Sequence, residues 1–132
     1  MKLFFDGGYS PAAGMATAVV AGGRADVRRD LGAGGSMEAE WLALIAAMRT
    51  AHALGVEDAV IRGDAAAVIA QANGAARCPP SCATYLETFR ALPRPPGRVR
   101  IRWIKRTQNL AGIALERSAP AAGDDASGRE RT

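Results

Sequence analysis

Histidine, cysteine and aromatic side chains are scarce in this chain. One histidine, two cysteines, three Phe, two Tyr and two Trp stand among 132 residues. The only histidine, His52, falls late in a helical stretch, so hydrolytic chemistry here would have to run without one. Two cysteines are too few for the disulfide framework that a small secreted domain usually carries. Cys78 and Cys82 have C-x₃-C spacing, but no further Cys or His pair completes a four-ligand zinc site, so they read as unpaired thiols. No apolar run approaches the ~20 residues that span a bilayer. The start, MKLFFDGG, turns acidic too soon for a signal peptide. A cytoplasmic protein with no membrane partner is the default expectation.

What remains is Ala, Gly and charge. Hydrophobic residues make up 48% of the chain, enough for a core at the length of one ordinary domain. The formal charge is +4. Setting residues 120–132 aside leaves 15 basic and 10 acidic residues, so the remainder is more basic still. A basic domain suits a polyanionic partner. An Arg-rich, Ala-rich composition also follows from genome base bias.

Apolar runs and breakers give an order of β-β-β-α-β-α-α-β-α. Residues 2–6, KLFFD, read as a strand ended by Gly7-Gly8, with further strands at 15–21 and 24–31. A helix is expected from a Ser36 N-cap to about Leu54, stopped by Gly55. Its apolar stripe is Met37, Trp41, Leu44, Ile45, Met48 and Ala51. Residues 58–63 form a strand ending at Asp64, 65–73 a helix closed by Gly74, and 82–92 a helix with Tyr85, Phe89 and Leu92 on one face. Residues 98–104 alternate as a strand, and 110–118 form a last short helix. Residues 1–118 are expected to form the domain and 119–132 a disordered tail. A hairpin start followed by strand–helix alternation implies a mixed sheet with helices packed on it.

Three acids sit where solvent is not expected. Asp6 and Asp64 each directly follow an apolar strand. Glu40 precedes Leu44 and Met48 on the core-facing stripe of its helix. Singly, each has an ordinary reading as a helix cap or a solvated strand end. Jointly, they would meet at one carboxyl edge if the two strands are parallel neighbours. Clustered carboxylates repel unless a hard cation joins them, and Mg²⁺ or Mn²⁺ takes oxygen ligands. Two such ions about 4 Å apart can activate water and stabilise the leaving oxygen of a phosphodiester.

The succession strand-DGG, AEWLALIAAM, VIRGDAAAVIAQANG and IRWIKRTQN resembles ribonuclease H type 1, especially its compact bacterial and archaeal branch, over roughly residues 2–118. The resemblance implies an α/β fold, with a five-stranded mixed sheet (three antiparallel strands, then parallel ones) flanked by helices. It also implies Mg²⁺-dependent endonucleolytic cleavage of the RNA strand of an RNA–DNA hybrid. Asp6, Glu40 and Asp64 match three catalytic, metal-holding acids. Gln71, Asn73 and Gly74 match a recurrent helix-end pattern, and Arg106 and Asn109 the residues before the last helix. Gly7, Gly8, Arg106 and Asn109 are the expected substrate-binding positions. The fourth catalytic aspartate of the family falls on Ile113. Glu116, three residues on, lies on a similar face and reads as an ordinary solvated residue or a substitute. One lost carboxylate predicts reduced or Mn²⁺-favouring activity.

Other features are assigned more plainly. Arg98, Arg100 and Arg102 alternate with Val99, Ile101 and Trp103, as a phosphate-binding stripe or a charged edge. Trp41 and Trp103 are expected in the core. Tyr9 follows Asp6 closely enough to stack on substrate, although loop packing is the plainer role. Two competing functions stand beside the hybrid ribonuclease: a hybrid- or duplex-binding module without efficient catalysis, and another nuclease, such as an exonuclease, on the same fold.

Overall fold

The expected order of elements is what the computed structural model shows, and it describes residues 1–118. The strands are β1 (Lys2–Ser10), β2 (Gly14–Ala21), β3 (Arg24–Arg28), β4 (Ala59–Gly63) and β5 (Val99–Trp103). The helices are α1 (Ser36–Leu54), α2 (Ala66–Ala72), α3 (Ala83–Ala91) and α4 (Leu110–Arg117). Short 3₁₀ turns at Pro80–Cys82 and Arg106–Gln108, which no apolar pattern announces, lead into α3 and α4. The tail expected at 119–132 lies outside the described residues. No helix among the described residues is long and apolar enough to cross a membrane.

The sheet runs β3-β2-β1-β4-β5. β1, β2 and β3 pair antiparallel, while β1–β4 and β4–β5 are parallel. This is the five-stranded mixed sheet that the resemblance implies. One face carries Leu3, Phe5, Val19, Ile61 and Ile101 against α1, α2 and α3. The other carries Ala16, Ala18 and Val20 against Ala111 and Leu115 of α4.

Several expectations are corrected. β1 continues through Gly7 and Gly8, which pair with Thr17 and Ala16, so Asp6 lies inside the strand and not at its end. Glycine serves close approach here, because a Cβ on Gly7 would overlap the Ala39 carbonyl of α1. The N-cap of α1 is Gly35, with no side-chain cap from Ser36. Met37 is exposed, while the rest of the α1 stripe is buried. Trp103 is 54% exposed, at the end of the edge strand β5. Trp41 is fully buried as expected, packed edge-on to Phe89 at 5.8 Å. Cys78 and Cys82 are both free thiols.

The recurrent Gln71, Asn73 and Gly74 have structural work in this fold. Buried Gln71 accepts a hydrogen bond from the Trp41 indole at 3.0 Å. Asn73 donates to the Ile101 carbonyl of β5 at 3.0 Å, and Gly74 takes the left-handed turn after α2. Gln71→Ala strands a buried N–H, and an unpaired donor costs about 1–3 kcal/mol. The urea midpoint should fall accordingly. An unchanged midpoint would mean that the indole finds another partner.

Candidate active site

The register of β1 against β4 decides where the acids meet. Lys2, Leu3 and Phe4 pair with Val60, Ile61 and Arg62. Continuing the same offset puts Asp6 level with Asp64 on adjacent parallel strands. Glu40 is brought in by α1, whose backbone is admitted close to β1 by Gly7. The Gly7 N–H donates to Glu40 Oε1 at 2.7 Å, which fixes the carboxylate beside the strand. Carboxylate oxygens of Asp6, Glu40 and Asp64 all lie within 4.8 Å of one another. The structure thus assembles the three acids singled out in the sequence.

Arg106 and Asn109 complete the cluster from the segment leading into α4. Arg106 Nη1 donates to Asp6 Oδ1 at 2.8 Å and to Asp64 Oδ2 at 3.2 Å. Asn109 caps α4, its Oδ1 accepting from the Ala111 N–H at 3.1 Å. Its Nδ2 donates to the Phe5 carbonyl and to Asp64 Oδ1, each at 3.0 Å. Asn109 is fully buried, so its contacts tie α4, β1 and Asp64 together. Arg106 keeps 54% of its side chain exposed and remains open to an incoming anion. Gly8 and Tyr9 line a neighbouring groove of about 300 Å³ with Arg29, Leu115 and Glu116.

The electrostatics show a site short of positive charge. Burial pushes the Glu40 carboxyl up to about 8, with Asp6 adding to the rise and the Gly7 hydrogen bond opposing it. Burial also raises Asp6; the Arg106 charge opposes this, and Asp64 and Glu116 reinforce it. Burial works against the Arg106 charge, yet Asp6 and Asp64 hold its pKa above the ordinary value. Asp6 is 1% exposed, and its Oδ2 has no hydrogen-bond partner. A buried unpartnered carboxylate oxygen is costly and calls for a cation. Clustered hard oxygen donors of this kind fit Mg²⁺ or Mn²⁺.

The position facing this oxygen is not Ile113. Ile113 is 38% exposed and lines a groove with Val20, Ala25 and Val27, over β2 and β3. The α4 residue that faces Asp6 is Gly112. A Cβ built there would lie 3.6 Å from Asp6 Oδ2 and 3.4 Å from the Arg106 guanidinium. Glu116 reaches only the outer side of Arg106, at 4.0 Å, with 74% of its side chain exposed. Neither Gly112, which faces Asp6, nor Ile113, where the family's fourth aspartate falls, supplies a carboxylate from α4.

An acid cluster across β1, β4 and α1 of a β3-β2-β1-β4-β5 mixed sheet defines a ribonuclease H-like protein. A family model described as "Reverse transcriptase-like" matches residues 7–119, and the chain belongs to that family. Solved structures agree with the likeness to ribonuclease H type 1. RNase H1 of the halophilic archaeon Halobacterium salinarum is 26% identical with a TM-score of 0.72, over 86% of this chain and 92% of that one. The N-terminal RNase H domain of a Mycobacterium tuberculosis protein is 23% identical with a TM-score of 0.71, over 92% and 96%. LC11-RNase H1, solved in complex with an RNA/DNA hybrid, is 17% identical with a TM-score of 0.64, over 86% and 91%. A comparison with curated protein sequences finds no match.

Proposed function

We propose that this chain is a metal-dependent endoribonuclease that hydrolyses the RNA strand of RNA–DNA hybrids. The observation that carries the reading is the trio Asp6, Glu40 and Asp64, whose carboxylate oxygens lie within 4.8 Å of one another, with Asp6 Oδ2 buried and unpartnered. The family membership, and a structure of similar fold solved with an RNA/DNA hybrid, support this substrate class. Asp6, Glu40 and Asp64 would hold Mg²⁺ or Mn²⁺. When bound, the ion supplies a Lewis acid that acidifies water and offsets charge on the phosphodiester oxygens. The chain's own groups do the rest. Gly7 and Asn109 orient Glu40 and Asp64, and Arg106 balances Asp6 and Asp64 and presents its exposed edge to phosphate.

The second reading is a hybrid-binding module, and the absence of an acid at Ile113, where the family's fourth aspartate falls, is what favours it. Three carboxylates hold one ion better than two, so the enzyme is expected to prefer Mn²⁺ over Mg²⁺. An end-labelled hybrid titrated with each ion separates the readings. Internal RNA fragments that vanish with a chelator, and greater cleavage in Mn²⁺, are the expected result. Full activity at low Mg²⁺ would sink the weakened second site. Binding without cleavage in either ion would establish the module.

A further inference from the structure

We infer that the uncovered face of β4 and β5 is a second nucleic-acid contact, gripping the phosphate backbone of a strand that runs on past the acid cluster. Residues paired in register point to the same face of a sheet. Phe4, Arg62 and Arg102 form one such row, and Lys2, Val60 and Arg100 the next. Phe4 packs with the α4-side cluster, which assigns both rows to the α4 face of the sheet. α4 itself lies over β1, β2 and β3. Among the described residues no helix lies over this face of β4 and β5, and Lys2, Arg100 and Arg102 are exposed.

Two features separate this face from ordinary solvated surface. Arg62 and Arg102 are direct cross-strand partners, and like charges so placed are destabilising. Charged residues that blunt a sheet edge explain arginines on β5. They do not explain Arg62, which sits on β4, inside the sheet. None of these cations forms an ion pair among the described residues; Arg106 and the exposed Arg28 are the arginines that do. A phosphate between Arg62 and Arg102 would relieve the repulsion, with the strands about 4.8 Å apart.

The basic surface also turns the corner of the sheet. A groove of about 520 Å³ along the free edge of β5 is lined by Arg94, Arg98, Arg100 and Arg102, and by no acid. Asp58, at its lower end, is engaged, its Oδ1 accepting from the Arg98 N–H. The Arg62–Arg102 row lies two residues before Asp64, about 7 Å along the strand. A strand whose scissile phosphate sat at the acids would therefore bring its next phosphates onto this row. The surface is independent of metal and of cleavage.

The test is fluorescence anisotropy with a labelled RNA–DNA hybrid in EDTA, where no cutting occurs. The full chain carrying Arg62→Gln, Arg100→Gln and Arg102→Gln should bind at least tenfold more weakly. Its log Kd against log salt should lose about 2 units of slope, at about 0.9 per phosphate contact. Arg100→Gln with Arg102→Gln, both at exposed positions, should give an intermediate loss and guards against misfolding of the triple variant. A control with the same charge change, Arg24→Gln, Arg49→Gln and Arg90→Gln, should lose less than twofold. Equal losses in patch and control variants would reduce the effect to net charge and overturn the inference. So would unchanged hybrid binding, with or without lost binding to anionic vesicles. A lowered thermal midpoint at unaltered affinity would make the face a structural contact, and would overturn it too.

Discussion

Glu40→Gln is expected to raise the thermal midpoint of the metal-free protein at pH 9, while abolishing metal binding and cutting cleavage at least a thousandfold. The two effects have one origin. Glu40 is folded into a place where its charged form is penalised by burial and by Asp6, so its pKa stands at about 8 against an ordinary 4.5. The stabilising, neutral form is fully present below about 4.5, in folded and unfolded chains alike. As pH rises from there to about 8, the unfolded chain ionises first and the folded state loses ground. Above about 8 the penalty is constant. At about 1.4 kcal/mol per pKa unit, the upper bound of that loss is several kcal/mol.

Glutamine keeps the oxygen that accepts from Gly7 and removes the charge. The metal-free variant should therefore gain roughly 5 °C or more over the unmutated protein at pH 9, and little at pH 4.5. Burial raises Asp6 as well, so the pH slope shrinks without vanishing. Mn²⁺ should raise the midpoint of the unmutated protein by preferential binding to the folded state, and leave Glu40→Gln unmoved. Differential scanning fluorimetry at the two pH values, with and without Mn²⁺, reads all of this. A variant that keeps the full pH slope and still responds to Mn²⁺ would remove Glu40 from the metal site.

Much of this was legible from residue order, and the exceptions share a cause. Element order, the sheet type and the meeting of Asp6, Glu40 and Asp64 follow from apolar periodicity and from where acids interrupt it. Such signals are local or depend on parallel pairing, which the strand–helix alternation already implies. Gly7 reads as a strand breaker in sequence, because a glycine admitting a helix backbone and a glycine ending a strand look alike there. Trp103 reads as a core residue in sequence, since alternation assigns a face and cannot say whether a helix covers it. Nothing in the sequence marks Arg62 for the same reason: its partner Arg102 lies 40 residues away, and only the β4–β5 register joins them. Helix rotation, coverage and cross-strand register are tertiary properties. Gly7, Trp103 and Arg62 depend on them, whereas the cap of α1 at Gly35 is a local difference.

The rotation of α4 leads to the sharpest test of the site. If the missing fourth carboxylate belongs where α4 faces Asp6, then Gly112→Asp should lower the half-saturating Mg²⁺ concentration at least tenfold, a gain of about 1.4 kcal/mol. The backbone permits it. Gly112 does not occupy a left-handed conformation, and its Cβ would meet side-chain atoms only, at 3.4–3.6 Å. Arg106 is half exposed and can swing away. Position 112 lies in the first turn of α4, where the helix dipole favours an acid. Without metal, the added charge beside Asp6 should lower the thermal midpoint, so affinity and metal-free stability move in opposite directions. Gly112→Asn, of equal size and no charge, should leave Mg²⁺ affinity unchanged. Ile113→Asp should also do little, because that side chain lies in the groove with Val20 and Val27. Isothermal titration with Mg²⁺ ranks the three. Tighter binding by Ile113→Asp than by Gly112→Asp would mean that α4 rotates when the ion enters, and that family spacing, not the metal-free geometry, locates the fourth ligand.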